Sequence, residues 1–185
     1  MHAFITSRLD YCNSLYAQCN ASVLQRLLQR VQNCAARYVL NVPARSPSLP
    51  LLHHLHWLPI ESRICYKLCS LMYRVNHSTA PSYLSELCVP CSDTRLRSTT
   101  RGNYIIPRTY RHLANHAFAV AAPSSWNSLP DNVRDSESYS NFLSKLKTHY
   151  FDIAFYNHLL VLLFNLYFTL YGAFELWMPW QIQMI

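Results

Sequence analysis

Residues 22–39 read SVLQRLLQRVQNCAARYV, and this stretch decides the fold class. Leu24, Leu27, Leu28, Val31 and Ala35 recur at the i, i+3, i+4, i+7 spacing of an amphipathic helix. Asn20 or Ser22 supplies an N-cap. Arg26, Arg30 and Arg37 fall near the opposite side, with Arg30 and Arg37 two turns apart. That face is either a solvated basic surface or a phosphate-facing one, because Lys and Arg contacts dominate nucleic-acid affinity.

Working outward, Pro43, Pro47 and Pro50 predict an extended connector. Leu52, Leu55 and Trp57 then form a packing cluster, with His53, His54 and His56 at its edge. Pro59 is placed to open a second helix. Ile60, Ile64, Leu68, Leu71 or Met72, and Val75 mark its buried stripe, and Arg63, Lys67 and Arg74 its polar side. A short helix follows at 80–87. The segment 88–101 is polar and Ser/Thr-rich, so it reads as a loop carrying Arg95, Arg97 and Arg101. Residues 103–107 and 116–123 are expected as two short strands, and 124–130 as a compact turn anchored by Trp126. Tyr139 to Phe151 is a last amphipathic helix with Phe142, Leu146 and Tyr150 inward. The expected fold class is mainly α with a small β element (α+β): a helical body, a β-pair near residues 103–121, and an apolar C-terminal helix.

Composition narrows the function classes. The chain has 185 residues, 51% hydrophobic and 14% charged, so it is not a disordered polyelectrolyte. Two glycines leave no glycine-rich phosphate loop and no dinucleotide fingerprint. All 16 Lys and Arg and seven of the nine acids lie in residues 1–151, giving that part +9 and the last 34 residues −2. The net +7 favours an anionic partner. The composition shift divides the chain into a basic body, 1–151, and an apolar tail, 152–185. Residues 153–174 carry no formal charge and marginally meet the length of a membrane-spanning helix, with Trp177 and Trp180 as interfacial anchors. Met1 to Ala17 lacks the apolar core of a signal peptide. Seven cysteines are therefore expected as reduced thiols in the cytoplasm or nucleus, unless the tail anchors the chain to a membrane.

Two constellations invite a chemical reading. Cys88 and Cys91 form a CxxC pair, and His112 and His116 an HxxxH pair, the donor chemistry of a tetrahedral zinc site. The 20 residues between the pairs and Pro90 inside the CxxC argue for incidental cysteines and histidines instead. No cofactor is implied. Ser124-Ser125 lacks the setting of a hydrolase nucleophile.

The blocks AFITSRLDYCNSL (3–15), LLQRVQNCAARYV (27–39), LHWLPIESRICYKL (55–68), APSYLSEL (80–87), FAVAAPSSWNSLP (118–130) and FLSKLKTHYF (142–151) occur in one order. Together they resemble the region after the polymerase core in non-LTR (LINE-type, jockey-like) retrotransposon reverse transcriptases. The resemblance covers about residues 2–151. It implies a thumb-like, largely helical region that contacts template or product duplex through the backbone, with the polymerase core as its intramolecular partner. The family's metal-holding aspartate pair has no counterpart, since no Asp-Asp occurs in the sequence. The family's glycine-containing turn after Leu15 is replaced by Ala17-Gln18-Cys19. The expectation is a detached, non-catalytic C-terminal piece that binds RNA or DNA at most weakly and without sequence preference. Its candidate phosphate contacts are Arg26, Arg30, Arg37, Arg63, Lys67, Arg95, Arg97, Arg101, Arg108 and Arg111. The alternatives are a small tail-anchored membrane protein and a remnant with no retained function.

Overall fold

The computed structural model describes residues 2–91 and 102–156, and these are mainly helical. The central element is α4, Ile60–Asn76. Pro59 sits at its N-cap with φ −55° and ψ 156°, and its carbonyl accepts the Arg63 N–H at 3.0 Å. Proline suits this position because the helix start leaves unpaired N–H groups anyway. Ile60, Ile64, Leu68, Met72 and Val75 are buried as their spacing requires, and Cys69 and Tyr73 join them. The stripe is wide because α4 is covered from two directions, by α6 (Phe118–Asn127) and by α8 (139–156).

Phe142 of α8 is fully buried, stacked on Tyr73 at 4.4 Å and tilted against Trp126 of α6 at 5.9 Å. Leu146 and Tyr150 continue the same face. The polar ends of the aromatics are paired: Tyr73 Oη donates to the Ser136 carbonyl at 3.0 Å, and Trp126 Nε1 donates to the Gly102 carbonyl at 3.2 Å. A buried hydroxyl or indole N–H without a partner costs more than the bond itself stabilises.

The N-terminal half wraps this centre. Helix α1 is His2–Asp10, followed by a 3₁₀ turn at Asn13–Tyr16. Gln18 adopts φ +60°, a left-handed conformation that glycine accepts more readily. Helix α2 runs through Ala21–Leu24, a π-turn at Gln25–Gln29 and Arg30–Val39. Short helices α3 (Ser48–His54), α5 (Ser82–Glu86) and α7 (Asp131–Arg134) fill the connections. A second, smaller core gathers Ala36, Leu52, Trp57 and Phe155, and Ile5 and Phe151 touch both cores. His53, His54 and His56 stand exposed at its edge.

Three expectations are corrected. The 116–123 strand is absent; His112–His116 is a 3₁₀ turn and Phe118 onward is α6, which also contains Trp126. Alanine-rich sequence favours helix, and fully buried Ala121 and Ala122 let the α6 backbone approach α4 closely. Among the described residues no strand forms. Tyr104 makes one antiparallel bridge, to Pro90, and the Asn127 side chain takes the place of a second partner. Its Oδ1 accepts the Tyr104 N–H at 2.9 Å and its Nδ2 donates to the Tyr104 carbonyl at 2.8 Å. Finally, Pro50 does not extend the connector but lies in the first turn of α3, where its missing N–H costs little.

Helix α8 runs through 152–156, and the apolar C-terminal segment beyond Tyr156 lies outside the described residues. Among the described residues no helix is long and apolar enough to cross a membrane.

Candidate nucleic-acid interface

The phase of α2 sets what this helix presents outward. A π-turn inserts one residue, so every later position is displaced by one along the buried stripe. The expected stripe Leu27, Leu28, Val31, Ala35 becomes Leu28, Gln29, Gln32, Ala36. Leu27 and Val31 are each 54% exposed, while Gln32 is 1% exposed. The two glutamines are satisfied by the start of α4. Gln29 Oε1 accepts the Ile60 N–H at 3.0 Å, Gln32 Nε2 donates to the Leu58 carbonyl at 2.8 Å, and Gln29 Nε2 donates to Gln32 Oε1 at 2.8 Å. One unpaired helix-start N–H and one buried carbonyl thus find partners from a neighbouring helix.

The ten candidate cations take different roles. Arg26 and Arg30 are exposed on α2, and Arg26 Nε donates back to the Ser22 carbonyl at 3.2 Å. Arg37 is half-buried, with Nε donating to the Ser46 carbonyl at 2.9 Å, so it fastens the connector after α2. Arg108 and Arg111 are exposed on either side of Tyr110, which is fully exposed. Arg95, Arg97 and Arg101 lie outside the described residues.

Arg63 and Lys67 are brought together by a partner that the sequence left isolated, Asp10 at the end of α1. Arg63 Nε and Nη2 donate to Asp10 Oδ1 and Oδ2 at 2.9 and 2.5 Å. Lys67 Nζ donates to the Asp10 main-chain carbonyl at 2.8 Å, where the helix C-terminus attracts a cation. These three residues line a cleft of about 350 Å³ with Thr6, His56, Leu58, Tyr66, Ser70 and Lys147. Arg63, Tyr66, Lys67 and Ser70 are spaced i, i+3, i+4, i+7, a polar stripe legible in the sequence. The contribution of Lys147 from α8 depends on tertiary proximity alone.

The zinc-like set is put to other uses. Cys88 is buried with its Sγ 3.5 Å from Met72 Sδ, and burial pushes its thiol pKa up. The Cys91 N–H donates to the Asn103 carbonyl at 2.9 Å. His116 Nδ1 lies 2.6 Å from the Ala17 carbonyl and 3.4 Å from Cys19 Sγ. A carbonyl only accepts, so Nδ1 carries the proton and cannot take one from Cys19. The His112 side chain lies outside the described residues. Among the described residues no cluster of three or more His, Cys, Asp or Glu could hold a metal ion. Desolvation raises Cys69 to about 12 beside Tyr150, whose hydroxyl is 3.3 Å away, and burial also raises Tyr150 and Cys65. Such protonated, buried thiols are packing groups.

Comparison with family models, with curated proteins and with solved structures returns no significant match.

Proposed function

We propose that this chain is a C-terminal region of a LINE-type reverse transcriptase, that it binds nucleic acid through the phosphate backbone, and that it performs no nucleotidyl transfer itself. The ordered sequence blocks from Ala3 to Phe151 support the family, and the lack of an Asp-Asp pair supports the missing chemistry. In that family the polymerase core is the partner of this region.

The observation carrying the binding reading is the placement of Arg26, Arg30, Arg108 and Arg111 on the surface, with fully exposed Tyr110 between the last two. Arginines beside an exposed aromatic ring supply a backbone contact and a stacking platform together, neither of which reads base identity. The described residues form two ion pairs with one another, Arg63–Asp10 and Arg134–Asp131, and neither uses these four arginines.

Fluorescence anisotropy of the full chain against mixed-sequence DNA and RNA tests the reading. Affinity falls with salt, with a log–log slope of roughly −0.9 per duplex phosphate neutralised. The double variant R26Q/R30Q weakens binding equally across sequences. Salt-independent binding, or none at low salt, refutes the proposal.

A further inference from the structure

The cleft between α1, α4 and α8 has a charge imbalance that its structural role does not remove. Among the described residues it contains Arg63, Lys67 and Lys147 and one carboxylate, Asp10. Arg63 occupies both oxygens of that carboxylate, so the pair is neutral as a unit. Lys67 is held at the wall by the main-chain carbonyl of Asp10, a contact that fixes its position without neutralising its charge. A lysine ammonium has three donors, so this bond leaves two. Lys147 of α8 also lines the cleft, and among the described residues no carboxylate besides Asp10 does so.

Two lysines lining one concavity favour an anion between them, because their like charges repel. Thr6, Tyr66 and His56 belong to the same lining. The volume of about 350 Å³ lies near the lower end of small-ligand sites. It is too small for a duplex and suited to one phosphate with the group attached to it.

We propose that this cleft binds a phosphomonoester, with Lys67 and Lys147 holding the dianion and Arg63 fixed beside them by Asp10. The monoester comes from a free nucleotide or from the phosphorylated end of a strand. The site does not depend on the surface arginines, which contact diester phosphates anywhere along a strand.

Calorimetric titration of the full chain with inorganic phosphate and with 5′-AMP tests the proposal, alongside a short single strand bearing a 5′-phosphate or a 5′-hydroxyl. Phosphate and 5′-AMP bind at one site. Lys147→Gln, a change at an exposed side chain, weakens both by about tenfold or more, the scale of one charge-assisted contact. R26Q/R30Q leaves them unchanged. A strand preference for the 5′-phosphate that Lys147→Gln abolishes identifies strand ends as the source; 5′-AMP binding without that preference identifies the free nucleotide. Absence of phosphate and 5′-AMP binding overturns the proposal, as does a Lys147→Gln variant, folded by circular dichroism, that titrates like the parent. Strand binding that ignores the 5′ group and is lost in R26Q/R30Q, with neither phosphate nor 5′-AMP bound, retains the surface reading while removing the cleft.

Discussion

Gln32→Ala tests the displaced phase of α2 directly. The side chain is buried, and its amide serves two partners, the Leu58 carbonyl and Gln29 Nε2. Gln29 retains Asn33 Oδ1 as an acceptor at 2.9 Å, so its loss is partial. The Leu58 carbonyl loses this donor, and an unsatisfied buried acceptor costs about 1–3 kcal/mol. The removed methylene and the space left behind add about 1 kcal/mol. The expected loss is therefore about 3 kcal/mol, which moves a urea midpoint by roughly 1–2 M. For a chain of this size the melting temperature falls by roughly 6–12 °C. Leu27→Ala is the paired control. Half-exposed Leu27 costs under about 1 kcal/mol in the displaced phase, whereas in an uninterrupted helix it is a core residue and costs about 2–5 kcal/mol. Equilibrium urea unfolding of both variants in the full chain decides the matter. If Leu27→Ala destabilises more than Gln32→Ala, the π-turn and the glutamine network are wrong.

Four more outcomes follow from the same geometry. Phe142→Ala empties the space between Tyr73 and Trp126 and costs about 3–5 kcal/mol by urea unfolding; a loss under 1 kcal/mol contradicts the placement of α8. Asp10→Ala leaves Arg63 without its carboxylate. The two side chains are 15% and 37% exposed, between the buried and exposed limits, so the cost is about 1–2 kcal/mol and shrinks in high salt. A cost unchanged by salt argues against the ion pair. Cys69 contributes an alkaline limb to stability. Its thiol ionises near 9 when unfolded and at about 12 when folded, so the neutral form is common to both states below pH 9. Between pH 9 and about 12 the unfolded chain releases a proton that the folded chain keeps, and stability falls as pH rises. Cys69→Ala lessens that fall in melts recorded from pH 8 to 11, and parallel curves for variant and parent contradict the burial. At pH 8 a thiol reagent modifies exposed Cys12 and Cys34 in the native chain and Cys69 only after unfolding.

Helices whose hydrophobic period is uninterrupted were legible from the residues alone. Ile60, Ile64, Leu68, Met72 and Val75 in α4, and Phe142, Leu146 and Tyr150 in α8, are buried as their spacing requires, because a regular helix turns the same angle at every residue. The proline before α4 and the packing of Leu52 and Trp57 beside solvent-facing histidines were legible for equally local reasons. Other features depended on residues far away in the chain. The α2 stripe was displaced by a π-turn whose glutamines answer a carbonyl and an N–H at the start of α4. Residues 118–123 became helix because small alanines pack closely on α4, and the bridge expected of the 116–123 segment went to Pro90 and the Asn127 amide. Among the cations, charge and spacing marked Arg26, Arg37 and Arg63 alike. Only the folded chain separated them, giving Arg63 a carboxylate from α1 and Arg37 a carbonyl beyond its helix while leaving Arg26 at the surface. Periodicity belongs to one segment, but a partner for a charge or a buried amide is supplied by another, and that pairing exists only once the helices have met.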